Sequence, residues 1–119
     1  MSVYPKFSAA LGALGVALGA FGAHGLKQTL DLHQTGGIWQ TASLYHLLHS
    51  VALLSLCSRS PVPKAPFWCF GIGTLIFSGS LYALALTNIK PLGAITPVGG
   101  LLLIGGWLLL FNSRGRTES

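Results

Sequence analysis

Acidic residues are almost absent from this chain. Asp31 and Glu118 are the only two among 119 residues, and charged residues of both signs make up 8%. The sequence offers no paired carboxylates, no Ser-His-Asp set and no phosphate-cradling loop, so the usual arrangements for acid–base or nucleophilic catalysis are missing. We therefore expect a protein that is not an enzyme and that holds no cofactor.

Cysteine is also scarce, with Cys57 and Cys69 as the only two. Both are expected at the cytoplasmic ends of membrane helices, a reducing location where structural disulfides are rare. We interpret them as small, buried apolar residues. Acylation of a cysteine at the membrane surface is the alternative.

Long apolar runs are what the sequence has in abundance: 51% of its residues are hydrophobic and its mean hydropathy is +0.66. A membrane-spanning helix needs about 20 predominantly apolar residues. Four runs predict an all-α membrane protein, a compact left-handed bundle of four transmembrane helices that forms a single integral membrane domain over residues 1–119. The predicted helices cover residues 7–26, 39–57, 67–86 and 92–112, and a short outer amphipathic helix covers residues 27–36.

The fourth helix has two alternative starts, because proline is tolerated in the first turn of a helix and disruptive later. Pro91 and Pro97 both qualify. The stretch ITPVGG favours Pro97, with Thr96 as the N-cap. The residues just before Thr96 would then form an interfacial or re-entrant segment that protein must bury.

Basic residues predict the orientation of the chain. With four spans, the amino terminus, the loop SRSPVPKAP and the tail share one side, which carries five of the seven Lys and Arg residues. Positive loops face the cytoplasm, so both termini are expected there. Trp39 is expected to anchor the opposite, outer end of the second helix at the membrane surface.

The first apolar run raises the alternative of a cleaved signal peptide. About 20 apolar residues exceed the 7–15 typical of a signal peptide core, so we expect a retained helix.

The sequence has no basic run interleaved with aromatic residues, the pattern that would indicate nucleic-acid binding, so nucleic acid is not expected as a partner. The partners expected are membrane lipids, with a second copy of the chain or another membrane protein as a further alternative.

Small residues occupy two faces of the first helix. One face carries Gly12, Gly15, Gly19 and Gly22. The nearly opposite face carries Ala10, Ala13, Ala17, Ala20 and His24. In lipid, helices associate by close approach across small residues. Two small faces therefore predict two close neighbours and a central position for this helix.

The stretch SLYHLLHSV places two titratable rings inside the second apolar run. Helical spacing puts His46 and His49 on one face with two serines, opposite a leucine-rich face, so the histidines are expected to face protein. The third helix offers a matching polar stripe. The candidate polar cluster consists of His24, His46, His49, Ser78, Tyr82 and Thr96.

Three interpretations of this cluster stay open. Neutral histidines can lock helix packing through hydrogen bonds to hydroxyls or carbonyls. Alternatively, they can line an outward-facing cavity for a proton or ligand, with His24 at its mouth. A metal site is disfavoured, because zinc needs three or four ligands. We expect the structural role for His49 and a cavity-facing position for His46, which lies closer to the outer surface.

Four motifs, in this order and spacing, resemble the YgdD/YwdK-like family of small bacterial membrane proteins: GAFGAHGL, WQTASLYHLLHSVALL, FSGSLYALAL and LGAITPVGGLLLIGGWLLL. That family is a domain of unknown function and is related to a small animal transmembrane protein. The match runs from about Phe7 to Phe111. It implies a four-helix protein of the bacterial inner membrane, and it implies no established activity.

Two classes of function follow. The first is a non-enzymatic membrane protein that acts through lipid or protein contacts, which the small size and low charge favour. The second is a small transporter or proton-linked channel with a polar cavity in the outer half, lined by histidines. The second class would need a water-filled path or an oligomer, and the sequence has no visible inverted repeat.

Overall fold

The computed structural model describes residues 3–113. Over this range the chain folds into helices joined by short connections, without a strand. The elements are α1 (Val3–Ala23), α2 (Lys27–His33), α3 (Gly36–Leu56), α4 (Lys64–Thr87), a 3-10 segment (Lys90–Ala94) and α5 (Thr96–Phe111). The predicted all-helical class and the short helix after the first long one are confirmed. Arg114 and Arg116, two of the basic residues behind the predicted orientation, lie outside the described range.

The helix ends correct several predicted bounds. The first three long helices each begin three or four residues before the predicted 7, 39 and 67. In α1 and α4 the added first turn contains Pro5 and Pro66, which that position tolerates. The short helix ends at His33 rather than at residue 36, because Gln34 adopts the left-handed conformation, with φ at 58°, that stops a helix. Gly36 and Gly37 open α3.

The last long helix starts at the later of the two predicted positions. α5 begins at Thr96 with Pro97 in its first turn, and the 3-10 segment before it packs on α4. The predicted N-cap is wrong, because Ile95 holds that position. The Thr96 hydroxyl hydrogen-bonds with the hydroxyl of Ser80 on α4 instead, and so ties the two helices together.

The long helices pack in the order α1, α3, α4, α5, each against the next. α3 and α4 are the inner pair, so the predicted central position of the first helix is wrong. Within residues 3–113, no Cα atom of α1 lies within 8 Å of a Cα atom of α4. The rings of Phe7 and Trp68 bridge them at the end opposite α2. The alanine face of α1 is exposed, which lipid accommodates as readily as a neighbouring helix.

Two apolar clusters hold the bundle together. The larger includes Phe67 and Phe70, both fully buried. The smaller lies beside α2 and joins Leu30, Trp39 and Ala85. Trp39 is only 3% exposed, so the prediction of a surface anchor there is wrong. The indole packs inside the bundle because it has an internal hydrogen-bond acceptor, as described below.

Three segments of the described chain are long and apolar enough to cross a membrane: α1, α4 and the stretch Lys90–Phe111. α3 has the same 21-residue length as α1. It is less apolar because it carries Gln40, two histidines and several serines. Hydropathy therefore identifies three of the four predicted spans, and the case for α3 has to come from its packing.

Candidate functional site

The ring of His46 projects from α3 between α1 and α4 and uses both of its nitrogens. Nε2 lies 2.8 Å from the carbonyl oxygen of Leu11, and Nδ1 lies 2.8 Å from the hydroxyl of Tyr82. A carbonyl oxygen only accepts, so Nε2 carries the proton and donates it. Nδ1 of the neutral ring then accepts the hydroxyl proton of Tyr82. His46 is thus held as the neutral Nε2–H tautomer.

The carbonyl of Leu11 is accessible to a side chain because Gly15 follows it one turn later. In an α-helix this oxygen also accepts the amide of the residue four positions on, and a side chain at that residue leans back over it. A Cβ at Gly15 would lie 2.8 Å from Leu47 and 3.3 Å from the His46 ring. The missing side chain therefore lets the imidazole reach the backbone of α1.

The same arrangement recurs seven residues away. The indole nitrogen of Trp39 donates a 3.0 Å hydrogen bond to the carbonyl of Leu18. Gly22 follows Leu18 by one turn, and a Cβ there would overlap the indole nitrogen. Because α1 and α3 are antiparallel, seven residues forward on α1 match seven residues back on α3. Trp39 and His46 on α3 therefore each reach a carbonyl of α1 that lies beside a glycine.

The other two glycines of that face leave more room. A Cβ at Gly12 would lie 3.8 Å from Ser50, and one at Gly19 would lie 4.0 Å from the Ser43 hydroxyl. All four glycines of the predicted packing face therefore lie against α3. The tight approaches are at Gly15 and Gly22.

Both ring nitrogens of His49 are also hydrogen-bonded, but here Nδ1 donates and Nε2 accepts. Nδ1 lies 2.9 Å from the carbonyl oxygen of Tyr45, and Nε2 accepts a 3.0 Å hydrogen bond from the indole nitrogen of Trp107. The carbonyl requires a proton on Nδ1, and the indole N–H requires a bare Nε2. His49 is therefore the neutral Nδ1–H tautomer and ties α3 to α5.

Tyr82 and Ser78 complete the polar junction between α3 and α4. Ser78 donates a 2.7 Å hydrogen bond to the carbonyl of Ala42. The Tyr82 hydroxyl, which donates to His46, also lies 3.5 Å from the hydroxyl of Ser43. A line of hydrogen-bonding groups thus runs from Ser43 through Tyr82 to His46 and ends on a backbone carbonyl.

Two residues of the candidate cluster lie apart from this junction. His24 is exposed in the turn between α1 and α2 and lines neither cavity described below. Thr96 bonds to Ser80 at the start of α5. The structure therefore gathers His46, Ser78 and Tyr82, and places His49 one turn further along α3.

Sequence reasoning missed three participants. Thr35 donates a 2.7 Å hydrogen bond to the carbonyl of Ala85, and His33 Nδ1 lies 3.3 Å from the same oxygen. These contacts dock the end of α2 on α4. Trp107 is the partner of His49. Side-chain periodicity carries no signal for such bonds, since one partner is the backbone carbonyl of Ala85 and the other, His49, lies on a distant helix.

Two cavities adjoin these groups. A cleft of about 90 Å³ between α1 and α4 is lined by His46, Ser78 and Tyr82. It is also lined by Thr74, whose Oγ1 is the one buried side-chain polar atom in residues 3–113 without a hydrogen-bond partner. The second cavity, which we call the α2 groove, has a volume of about 500 Å³ and lies between the end of α1, α2 and the first turns of α3. Ser43 lines the α2 groove, so the line of hydrogen-bonding groups joins the two cavities.

The hydrogen bonds of these side chains hold α3 against its neighbouring helices. Both nitrogens of both histidines already have partners, so neither ring is free to bind a metal or a substrate without losing one. No three His, Cys, Asp or Glu side chains within residues 3–113 lie close enough to hold a metal ion. Cys57 and Cys69 are free thiols.

Comparison with known proteins agrees with a membrane protein of this kind. Residues 18–100 match the family described as protein of unknown function (DUF423). A UPF0382 membrane protein of Staphylococcus saprophyticus is 40% identical over 100 residues, which cover 81% of this chain and 82% of that protein. No solved structure matches the chain.

Relatives from two further bacteria extend the match. The UPF0382 membrane protein YwdK of Bacillus subtilis is 38% identical over 103 residues, covering 81% of this chain and 82% of YwdK. The UPF0382 inner membrane protein YgdD of Escherichia coli K12 is 39% identical over 90 residues, covering 71% of this chain and 67% of YgdD. The predicted resemblance is confirmed, and the chain belongs to the DUF423 family of UPF0382 membrane proteins.

Proposed function

We propose that this protein is a non-enzymatic, single-domain integral membrane protein that crosses the membrane four times and acts through contacts with membrane lipids. The observation that carries the proposal is a contrast between its polar groups. The histidines at mid-helix are fully engaged inside the protein, whereas the charged and polar side chains at the α2 end surround an open groove. This groove is therefore where we place the contact with another molecule.

The packing of α3 supports its role as the fourth span. Contacts run along α1 from Ser8, whose hydroxyl lies 3.6 Å from the sulfur of Cys57 just after α3, to Gly22, beside Trp39, so α3 lies against most of the length of α1. If α1 crosses the membrane, α3 has to cross beside it. The outward face of α3 carries Leu44, Leu48, Val51 and Leu54, all more than half exposed, and a lipid environment suits such a face.

Orientation follows from charge. Lys27 and Lys90 lie at the α2 end, whereas Lys6, Arg59 and Lys64 lie at the opposite end. The tail arginines add to the second group if α5 crosses. By the positive-inside rule, both termini lie in the cytoplasm and the α2 groove opens on the outer side of the bacterial inner membrane.

A small proton-linked channel is the second candidate, and the line Ser43, Tyr82, His46 is the observation that favours it. Hydroxyl and imidazole groups in a row can pass protons. Here the row ends on the carbonyl of Leu11, which already accepts from His46 and offers no onward donor. The lipid-contact proposal therefore accounts for the geometry better.

One preparation of the protein distinguishes the lipid-contact proposal from the channel. Purified full-length protein is taken through detergent exchange, its retained lipids are extracted and measured, and a second portion is reconstituted into vesicles that contain a pH-sensitive dye. We expect retained phospholipid at a fixed ratio to protein and no proton flux above protein-free vesicles. Flux that His46→Gln abolishes, with no retained lipid, would replace the proposal by the channel.

A further inference from the structure

The α2 groove has a charged end and an apolar end. It follows α3 from Gly36 to Leu47, eleven residues or about 16 Å of helix. Lys27 and Asp31 of α2 stand at one end, and Leu44 and Leu47 line the other. A groove with this polarity matches a molecule that is charged at its head and apolar along its body.

Small residues keep the groove open. Gly19 and Gly22 face it from α1, and a Cβ at Gly19 would still be 4.0 Å from its nearest neighbour. Trp39 forms part of the wall and is fixed there by its hydrogen bond to Leu18. The volume of about 500 Å³ lies within the range of about 300–1,000 Å³ that ligand sites occupy.

Polar groups continue inward from the charged end. Gln40 and Ser43 line the groove between the α2 charges and the leucines. An amide and a hydroxyl can donate to ester or phosphate oxygens. The order along the groove is therefore opposite charges, neutral donors and apolar side chains, which is the order of headgroup, glycerol esters and acyl chain in a phospholipid.

The two charges favour a headgroup that carries both signs. Lys27 and Asp31 form a 3.0 Å ion pair with side chains 67% and 66% exposed. Exposed pairs of this type contribute about 0.2–1 kcal/mol, so they separate easily. A phosphate can then bind Lys27, and a primary ammonium can bind Asp31. An anionic headgroup without an amine would meet the same lysine but would leave a carboxylate beside it.

We infer that the α2 groove binds one zwitterionic aminophospholipid of the outer leaflet, with its phosphate at Lys27, its ammonium at Asp31 and the start of one acyl chain against Leu44 and Leu47. This inference rests on the proposed function and names the lipid class and the site. It places a single bound lipid at the junction of α1, α2 and α3, where it would join the short helix to the bundle.

The test uses full-length protein released from nanodiscs that contain equal amounts of phosphatidylethanolamine and phosphatidylglycerol, with native mass spectrometry to identify the lipid retained. We expect one phosphatidylethanolamine per chain in preference to phosphatidylglycerol. Lys27→Gln and Asp31→Asn should each lower retention about three- to tenfold, as loss of one exposed charge-assisted hydrogen bond predicts. Lys90→Gln, an exposed lysine at the same end outside the groove, is the matched control and should retain lipid as the wild type does.

A third variant distinguishes the effect of removing a charge from the effect of filling the α2 groove. Gly19→Leu adds a side chain beside the groove at a position where a Cβ would lie 4.0 Å from its nearest neighbour, so it should abolish retention while its unfolding temperature without lipid stays near that of the delipidated wild type. Retained phosphatidylethanolamine that none of these variants reduces would overturn the groove site and leave the proposed function standing. Preference for phosphatidylglycerol, increased by Asp31→Asn, would overturn the zwitterionic class. Release of both lipids by the wild type would overturn the proposed function as well.

Discussion

Trp39 and His46, seven residues apart on α3, donate hydrogen bonds to the carbonyls of Leu18 and Leu11, which are seven residues apart on α1. Each acceptor has a glycine one turn later, Gly22 or Gly15. Helices in lipid gain little from burying apolar surface against each other, so close backbone approach and such hydrogen bonds supply the association. These two bonds fix both the separation and the register of α1 and α3.

Gly22→Ala should destabilise the protein by roughly 1–3 kcal/mol, because a methyl group there overlaps the Trp39 indole and displaces it from Leu18. Thermal unfolding in detergent measures the effect. Gly19→Ala is the matched control on the same helix face, where the nearest atom lies 4.0 Å away. Equal unfolding temperatures for the two variants would show that the Trp39 contact does not hold α1 in place.

Tyr82→Phe should lower stability by about 0.5–2 kcal/mol, because His46 Nδ1 loses its donor inside the bundle while the aromatic packing against Trp39 is kept. Tyr45→Phe removes a hydroxyl from a partly exposed ring on the same bundle and should have little effect. The comparison of the two unfolding curves is the measurement. A larger loss for Tyr45→Phe would contradict the assigned network.

The two histidines are expected to be neutral and in opposite tautomers. Nitrogen NMR of the ring nitrogens in lipid bilayers should show the proton of His46 on Nε2 and that of His49 on Nδ1, because each carbonyl acceptor dictates where the proton sits. Spectra of His46→Gln and His49→Gln assign the signals. Trp107→Phe should alter the Nε2 signal of His49 and leave that of His46 unchanged. Identical tautomers at both rings would refute the assignment.

The topology is tested with fusion reporters. An enzyme that is active only in the cytoplasm, fused after Ser119, should be active, and the same reporter inserted after Gln34 should be inactive. The insertion site lies in the connection between α2 and α3, so the helices remain intact. If α3 did not cross, the loop before α4 and the loop after α2 would report the same side.

The polar face of α3 could be predicted from spacing alone. His46, His49 and Ser50 are buried as the helical wheel requires, and Leu48 and Val51 on the other face are exposed. Tyr82 was among the predicted partners of the histidines. A period of 3.6 residues identifies which side chains share a face, and a polar face inside an apolar run has to point at protein.

Helical spacing could not predict what each helix face or side chain contacts. The alanine face of α1 is exposed rather than packed, because small apolar residues are equally compatible with lipid and with a helix. Trp39 is buried rather than at the surface because its acceptor is the Leu18 carbonyl, and backbone acceptors leave no trace in a side-chain pattern. Thr96 fails as an N-cap because its hydroxyl bonds to Ser80 on another helix.

The central claim is that this protein works by holding lipid, and the most direct test is the unfolding temperature of delipidated wild-type protein during titration with phosphatidylethanolamine. A bound ligand stabilises the folded state by about 1.4 kcal/mol at ten times its dissociation constant. The account predicts a rise of a few degrees in detergent, which continues with the logarithm of the lipid concentration above the dissociation constant. An unfolding temperature that stays constant across the titration would contradict it.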